Sequence, residues 1–190
     1  MSLNTPESPQ DALLKLKQAC DDAFDRHPNS CSHAVWHVIQ QYLPGQPWMN
    51  ANALMTYVQG HKEWVTVQAS QVGVLARQGV VVVGGKMETG NGHVIVGYPG
   101  PDKTAGGYTY PKGDKTLTLA TRGNYAPAMS TSLGSWPGAK SKGTKTIWDP
   151  WANDAKFNEV TFWKLDISAA PAALLSKPTS NQHKAAPTKK

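Results

Sequence analysis

Residues 80–98 read VVVVGGKMETGNGHVIVGY and predict the centre of the fold. The apolar, β-branched run at 80–83 is typical of a strand buried on both faces. Residues 93–98 predict its antiparallel partner, which Pro-Gly-Pro at 99–101 closes. Gly90 and Gly92 leave the approach to His93 free of side chains. We therefore expect a hairpin whose second strand begins at His93.

A helical pattern upstream begins at Cys31. Apolar residues recur at the spacing of one helical face at Ala34, Val35, Val38, Ile39, Tyr42 and Leu43. Asn29 and Ser30 are both good N-cap residues, so Cys31 falls in the first turn. Unpaired N–H groups and the helix dipole stabilise a thiolate there, which predicts a lowered pKa for the Cys31 thiol. Cys31 shares the apolar face and is expected to point toward whatever the helix packs on.

A cysteine at a helix start and a histidine that opens a strand are the two parts of a thiol nucleophile. Each alone is more simply a buried thiol or a hairpin-end imidazole. Their combination, with the helix packed over the hairpin, favours catalysis by Cys31 and His93. His33 and His37 have the HxxxH spacing of a metal pair, but without a third ligand we interpret them as solvated.

Five pieces of sequence carry a resemblance to a known family. They are Asn-Ser-Cys-Ser-His-Ala-Val at 29–35, Asn-Ala-Asn-Ala-Leu-Met at 50–55, Glu-Trp at 63–64, Gln-Gly-Val-Val-Val-Val-Gly at 78–84 and Gly-His-Val-Ile-Val at 92–96. In order and spacing they resemble the amidase effectors of bacterial type VI secretion, which are cysteine peptidases related to the NlpC and CHAP groups. The resemblance covers residues 29–98 and fades beyond residue 100.

The resemblance implies that Cys31 is the nucleophile and His93 the general base, in a papain-like domain that needs no cofactor or metal. It further implies cleavage of peptidoglycan stem peptides at the bond between γ-D-glutamate and meso-diaminopimelate. Delivery to the periplasm of a target bacterium, a type VI secretion carrier and a cognate immunity protein follow from it as expectations. We expect a monomer.

A third group must orient the imidazole, and the sequence leaves it open. Thr121 belongs to an alternating strand predicted at 116–123, and Ser130 to a second candidate stretch at 126–132. A backbone carbonyl is the remaining possibility. Asp114, the nearest carboxylate, lies in a predicted exposed turn.

Length and composition predict a single α+β domain, with helices first and an antiparallel sheet after them. The chain has 190 residues, of which 39% are hydrophobic, and a net charge of +6. Further helices are predicted at 10–26, 50–60 and 68–78, and a last strand at 160–166. We place a polar lead at 1–9, the amidase domain at 10–167 and a disordered Ala/Pro/Lys tail at 168–190.

Other features narrow the choice of function. The chain shows neither a signal peptide nor the ~18 apolar residues of a membrane span, so we expect synthesis in the cytoplasm and no membrane insertion. Zinc spacings and nucleic-acid motifs are absent.

Cys20 is interpreted as a core or surface thiol. Trp48 and Trp136, which lie beside Pro and Gly, are candidates to line a cleft. The alternatives are a thiol acyltransferase resembling transglutaminases, and a non-enzymatic basic module that binds cell wall or nucleic acid.

Overall fold

The computed structural model describes residues 8–177, and this part of the chain is a mixed α+β structure with six α-helices and an antiparallel sheet of six strands. The helices are α1 (Pro9–Arg26), α2 (Cys31–Gln40), α3 (Ala51–Gly60), α4 (Val72–Arg77), α5 (Asp154–Phe157) and α6 (Ala172–Leu175). A 3₁₀ turn at Ala69–Gln71 leads into α4. Ser8 caps α1 through a hydrogen bond from the Asp11 amide. The helices predicted at 10–26 and 50–60 are confirmed within a residue of their ends, whereas the segment predicted as one helix at 68–78 is a 3₁₀ turn at 69–71 followed by α4.

The strands of the main sheet are β1 (Trp64–Val67), β2 (Val82–Lys86), β3 (His93–Gly97), β8 (Pro127–Ser130), β9 (Ser141–Thr146) and β10 (Thr161–Leu165). They lie in the order β1-β10-β2-β3-β8-β9. Two small sheets stand apart from it, and they are formed by β4 (Lys103–Thr104) with β7 (Asn124–Tyr125), and by β5 (Tyr108–Lys112) with β6 (Lys115–Leu119).

The predicted hairpin lies at the centre of the main sheet. Val83 pairs with Val96, and Lys86 pairs with His93. The first strand begins at Val82 rather than at residue 80, because the chain is still leaving α4 there. Gly79 has a positive φ of 77°, and the Val80 amide donates to the Leu75 carbonyl.

The sheet has a core on each face. On one side α1, α2 and α3 cover the sheet with side chains such as Leu16, Val35 and Val38, against Val96. On the other side Ile95 packs with Trp148 and Phe162. His93 stands at the start of β3, at the rim where the helical layer meets the segment after β9.

Strand order was only partly predictable. The final strand of the chain, β10, inserts between β1 and β2, and neither β1 nor β9 was predicted. Of the two stretches considered for the strand after β3, the one at 126–132 contains β8 and pairs with it, through Val96 and Met129. The stretch at 116–123 contains β6, which pairs with β5 outside the main sheet.

The chain end differs from the expected tail. A 3₁₀ turn at Ile167–Ala169 and helix α6 occupy residues predicted to be disordered, and the Gly45 amide donates to the Leu174 carbonyl. Residues 1–7 of the predicted lead and 178–190 of the predicted tail lie outside the described residues. Between residues 8 and 177, no helix is both long and apolar enough to cross a bilayer.

Candidate active site

Cys31 and His93 line the same cleft, which has a volume of about 470 Å³. The cleft lies where the start of α2, the connection between β2 and β3, the loop after β8 and the segment at 150–151 meet. Helix α2 packs directly on β3. The structure thus brings together the two side chains that the sequence predicted as a pair, although they lie far apart along the chain.

Cys31 is half-buried, and its sulfur is close to the start of β3. Burial raises the pKa of the Cys31 thiol, while hydrogen bonds from the main-chain N–H groups of Val94, Ser32 and Cys31 act in the opposite direction. The expectation of a lowered thiol pKa is therefore wrong in direction. The N–H groups at the helix start stabilise the thiolate, but removal of the sulfur from water destabilises it more. The thiol pKa is therefore raised on balance.

His93 is held among apolar neighbours. The edge of its ring meets Trp151, with ring centroids 5.5 Å apart. Burial lowers the pKa of His93 to about 4, against a small opposing effect of Glu88. At neutral pH the imidazole is therefore uncharged and able to accept a proton. Together with the raised thiol pKa, this makes a neutral thiol and a neutral imidazole the resting state of the pair.

Ser130 provides the hydroxyl that orients the imidazole. Its Oγ lies 3.2 Å from His93 Nε2 and donates to the Ala139 carbonyl at 3.0 Å. Because the only hydroxyl proton is used on that carbonyl, Ser130 must accept from Nε2–H. Nδ1 is then the unprotonated nitrogen, available to take the proton of the Cys31 thiol. Thr121 is exposed and lies outside the cleft, so of the two hydroxyls considered the structure brings only Ser130 to His93.

Asn52 holds the connection that leads into His93. Its Nδ2 donates to the Glu88 carbonyl at 2.9 Å and to the Gly90 carbonyl at 3.4 Å, and its Oδ1 accepts from the Glu88 amide at 3.2 Å. A Cβ on Gly92 would come within 2.6 Å of the Lys86 carbonyl oxygen, as well as 2.3 Å from that Oδ1, so glycine is required there. The sequence offered Asn52 only as part of a motif and, with Asn50, as a candidate to open α3, because its contacts near His93 are about 36 positions away along the chain.

The remaining candidates lie away from this pair. His33 stacks on Trp48 with centroids 4.6 Å apart, and His27 lies 5.5 Å from His37. No group of three or more metal-binding side chains occurs in the described part of the chain. Trp48 is thus a surface stacking partner and not part of the cleft, whereas Trp136 does line it.

Cys20 is a core thiol. It is fully buried on the inner face of α1, and both cysteines are free. Burial raises the pKa of the Cys20 thiol, with no main-chain donors to oppose it. The two thiols therefore differ in the property that matters for catalysis, since only Cys31 reaches a cleft.

Comparison with known proteins adds no identification: no protein-family model matches the chain, and no curated protein is significantly similar to it.

Replacement of Ser130 tests its positioning role. We expect Ser130→Ala to lower kcat/KM about 5-fold on the stem-peptide substrate that the sequence predicts, because loss of one hydrogen bond worth about 1 kcal/mol frees the ring to rotate. Nitrogen NMR of the imidazole should show Nε2–H in the parent protein and a mixture of tautomers in the variant. The matched hydroxyl deletion Thr121→Ala should leave both measurements unchanged, and an unchanged tautomer in Ser130→Ala would contradict the assignment.

Proposed function

We propose that this protein is a cysteine amidase of papain-like, NlpC type that hydrolyses amide bonds in peptidoglycan stem peptides. The observation that carries the proposal is the shared cleft, which is lined both by Cys31 at a helix start and by His93, with Ser130 accepting from Nε2 of that histidine. A nucleophile, a base and a group that orients the base are the three parts of such a site.

The reaction begins from the neutral pair. His93 Nδ1 takes the thiol proton as the Cys31 sulfur attacks the carbonyl carbon, and the Cys31 main-chain N–H helps to hold the oxyanion. The carbon–nitrogen bond then breaks, and His93 gives its proton to the leaving amine. In the second half His93 deprotonates a water molecule that attacks the thioester. This step releases a carboxylic acid and restores the thiol.

The charges around the cleft suit a zwitterionic peptide. Glu88 and Lys156 both line it, and Glu88 Oε1 also lies 3.4 Å from Lys86 Nζ, so the cleft presents one partly neutralised carboxylate and one ammonium group to the substrate. A stem peptide carries free carboxylates beside the γ-linked glutamate and a free amine on diaminopimelate. We infer that Lys156 binds a carboxylate and Glu88 the amine, which favours the bond between γ-D-glutamate and meso-diaminopimelate that the motif resemblance implies. The net charge of +6 also favours approach to the anionic cell wall.

The motif resemblance also supplies the proposed biological setting. It implies an antibacterial effector that is carried by type VI secretion and restrained in the producing cell by an immunity protein. These statements remain proposals that depend on the five sequence pieces alone.

Digestion of purified murein tests the activity and separates the alternatives. The protein is incubated with sacculi in water enriched in heavy oxygen, and the fragments are identified by mass spectrometry. We expect a disaccharide bearing L-alanyl-D-glutamate with one heavy oxygen in the new carboxylate, together with a peptide that begins at diaminopimelate. Fragments joined to an added amine would indicate an acyltransferase instead. Binding without new fragments would indicate a non-enzymatic wall-binding module.

A further inference from the structure

A second cleft, of about 430 Å³, adjoins the first. It lies between the hairpin of β5 and β6 and the loop after β8, and Tyr110, Lys112 and Ser135 are among its lining residues. Trp136 lines both clefts. The hairpin falls beyond residue 100, where the motif resemblance has ended, so this cleft is a feature of this chain considered by itself.

The wall between the two clefts has a fixed conformation. Trp151 lines the first cleft, and its neighbour Ala152 lines the second. Ala152 has φ 50°, and it is the sole non-glycine residue with positive φ between residues 8 and 177. A side chain in this region costs of order 1 kcal/mol, and such strain persists only where the surroundings determine the backbone. The strained turn therefore directs two successive residues into two neighbouring sites.

The hairpin is tied to the same wall by a buried carboxylate. Asp149 Oδ1 accepts from the Gly106 amide at 2.9 Å and from the Tyr108 hydroxyl at 3.1 Å, while its Oδ2 accepts from the Thr146 amide at 2.7 Å. Asp149 is 1% exposed, so these bonds are shielded from water. Lys145 Nζ lies 3.9 Å from the centre of the Tyr108 ring on the outer side. The spacing between the clefts is therefore set by the fold.

We propose that the second cleft binds an N-acetylhexosamine ring of the glycan strand that carries the stem peptide under attack; this rests on the proposed amidase function. Pyranose rings pack their C–H faces on aromatic side chains, and Tyr110 and Trp136 supply these. The hydroxyl and acetamido groups at the ring edge accept and donate hydrogen bonds, for which Lys112 and Ser135 are available. Lys112 is the one charged residue that lines this cleft, and its ammonium group can donate to the uncharged oxygens of a sugar.

The length of the stem peptide limits how far the sugar can lie from the attacked bond. Only L-alanine and D-glutamate separate the muramyl group from the γ-amide bond, and an extended residue spans at most ~3.6 Å. Two extended residues span ~7 Å, and the lactyl group of muramic acid and the longer γ-linkage of D-glutamate add to this, so the sugar lies at most about 15 Å from the attacked carbonyl, within reach of an adjoining cleft. A second, crosslinked stem peptide joins on the amine side of the bond. It carries aliphatic side chains and carboxylates, which pack less well on two aromatic rings than a pyranose ring does.

The test compares two substrates that differ only in the sugar. They are a tetrapeptide attached to its disaccharide and the same tetrapeptide free. For the parent protein we expect kcat/KM to favour the disaccharide form, and we expect Tyr110→Ala to reduce this preference about 10-fold. Tyr110→Phe, which keeps the ring, should retain most of it. Thr118→Ala is the matched control, because Thr118 is exposed on the same hairpin and does not line the cleft.

A binding measurement keeps the glycan site testable without catalysis. Cys31→Ala protein is titrated with a tetramer of N-acetylglucosamine while the indole N–H signals are followed by NMR. We expect the Trp136 signal to shift in a saturable manner, and the shift to be lost in the Cys31→Ala/Tyr110→Ala double variant. If neither peptide is cleaved by the parent protein but the titration saturates, the amidase proposal fails and the sugar site stands. The glycan proposal would be overturned if Tyr110→Ala left the preference for the disaccharide form unchanged and the Trp136 signal showed no saturable shift. A preference for crosslinked peptides that lack sugar would also overturn it.

Discussion

Cys31→Ala and Cys31→Ser are each expected to abolish hydrolysis of stem peptides, with a fall in kcat/KM on the order of 10⁴-fold or more. The reason is that Cys31 is the one thiol among the residues that line the cleft, and a serine hydroxyl, including that of Ser30 beside His33, is far harder to deprotonate than a thiol. The measurement is release of peptide from murein or from a purified muropeptide. Thermal unfolding of the variants should match that of the parent, because Cys31 is only half-buried.

Cys20→Ala is the matched control for the loss of a thiol. Since Cys20 is fully buried, we expect its loss to destabilise the protein by about 1–2 kcal/mol, through the small cavity that it leaves. Activity below the unfolding temperature should remain within a few-fold of the parent. A comparable loss of activity in Cys20→Ala would mean that the two cysteines form a structural pair and that Cys31 is not the nucleophile.

His93→Ala is the second change with a large expected effect. Turnover should disappear, because no group remains to take the thiol proton or to protonate the leaving amine. His61→Ala, which removes an exposed histidine stacked on Tyr57 outside the cleft, should leave turnover unchanged. Substantial hydrolysis by His93→Ala would show that the assigned base is wrong.

The pH dependence follows from the pKa of His93 of about 4. Activity requires the neutral imidazole, so the acid limb of kcat/KM should lie near that value and well below the ordinary histidine pKa of about 6.5. The folded pKa is depressed, so the unfolded chain binds the proton more tightly. Folding stability is therefore full above about pH 6.5 and is lost as the pH falls toward 4, by up to about 3 kcal/mol. Urea unfolding at several pH values should show a shallower acid loss in His93→Gln.

Alkylation of Cys31 distinguishes a neutral pair from an ion pair. Because burial raises the thiol pKa, the midpoint of iodoacetamide labelling should lie at or above that of an ordinary thiol, about 8.5. A neutral imidazole contributes no positive charge, so the midpoint should not rise in His93→Ala. A midpoint well below 8.5 that rises on loss of His93 would show an imidazolium–thiolate pair and would contradict the neutral resting state.

The comparison of Ser130 with Thr121 shows where sequence reasoning stops. Both hydroxyls follow the histidine strand, Thr121 in a stretch with a clear alternating pattern and Ser130 in a second candidate stretch. Ser130 reaches His93 because β8 pairs with β3, whereas β6 pairs with β5 in a separate hairpin. Pairing between strands depends on contacts between residues that are distant along the chain. The local alternation of apolar and polar residues therefore does not indicate which strand a given strand pairs with.

The sequence by itself determined the first three helices, the central hairpin and the pairing of Cys31 with His93 as candidates. Helical periodicity, N-caps, β-branched runs and turn glycines act over a few residues and can be interpreted without the rest of the chain. Only the tertiary structure decided that β10 inserts between β1 and β2 and that Ser130 contacts His93. It also decided that Asn52 binds the connection before His93 and that a second cleft adjoins the first. It also reversed the expected direction of the Cys31 pKa, because the helix start is a local feature while burial depends on everything that packs around the sulfur.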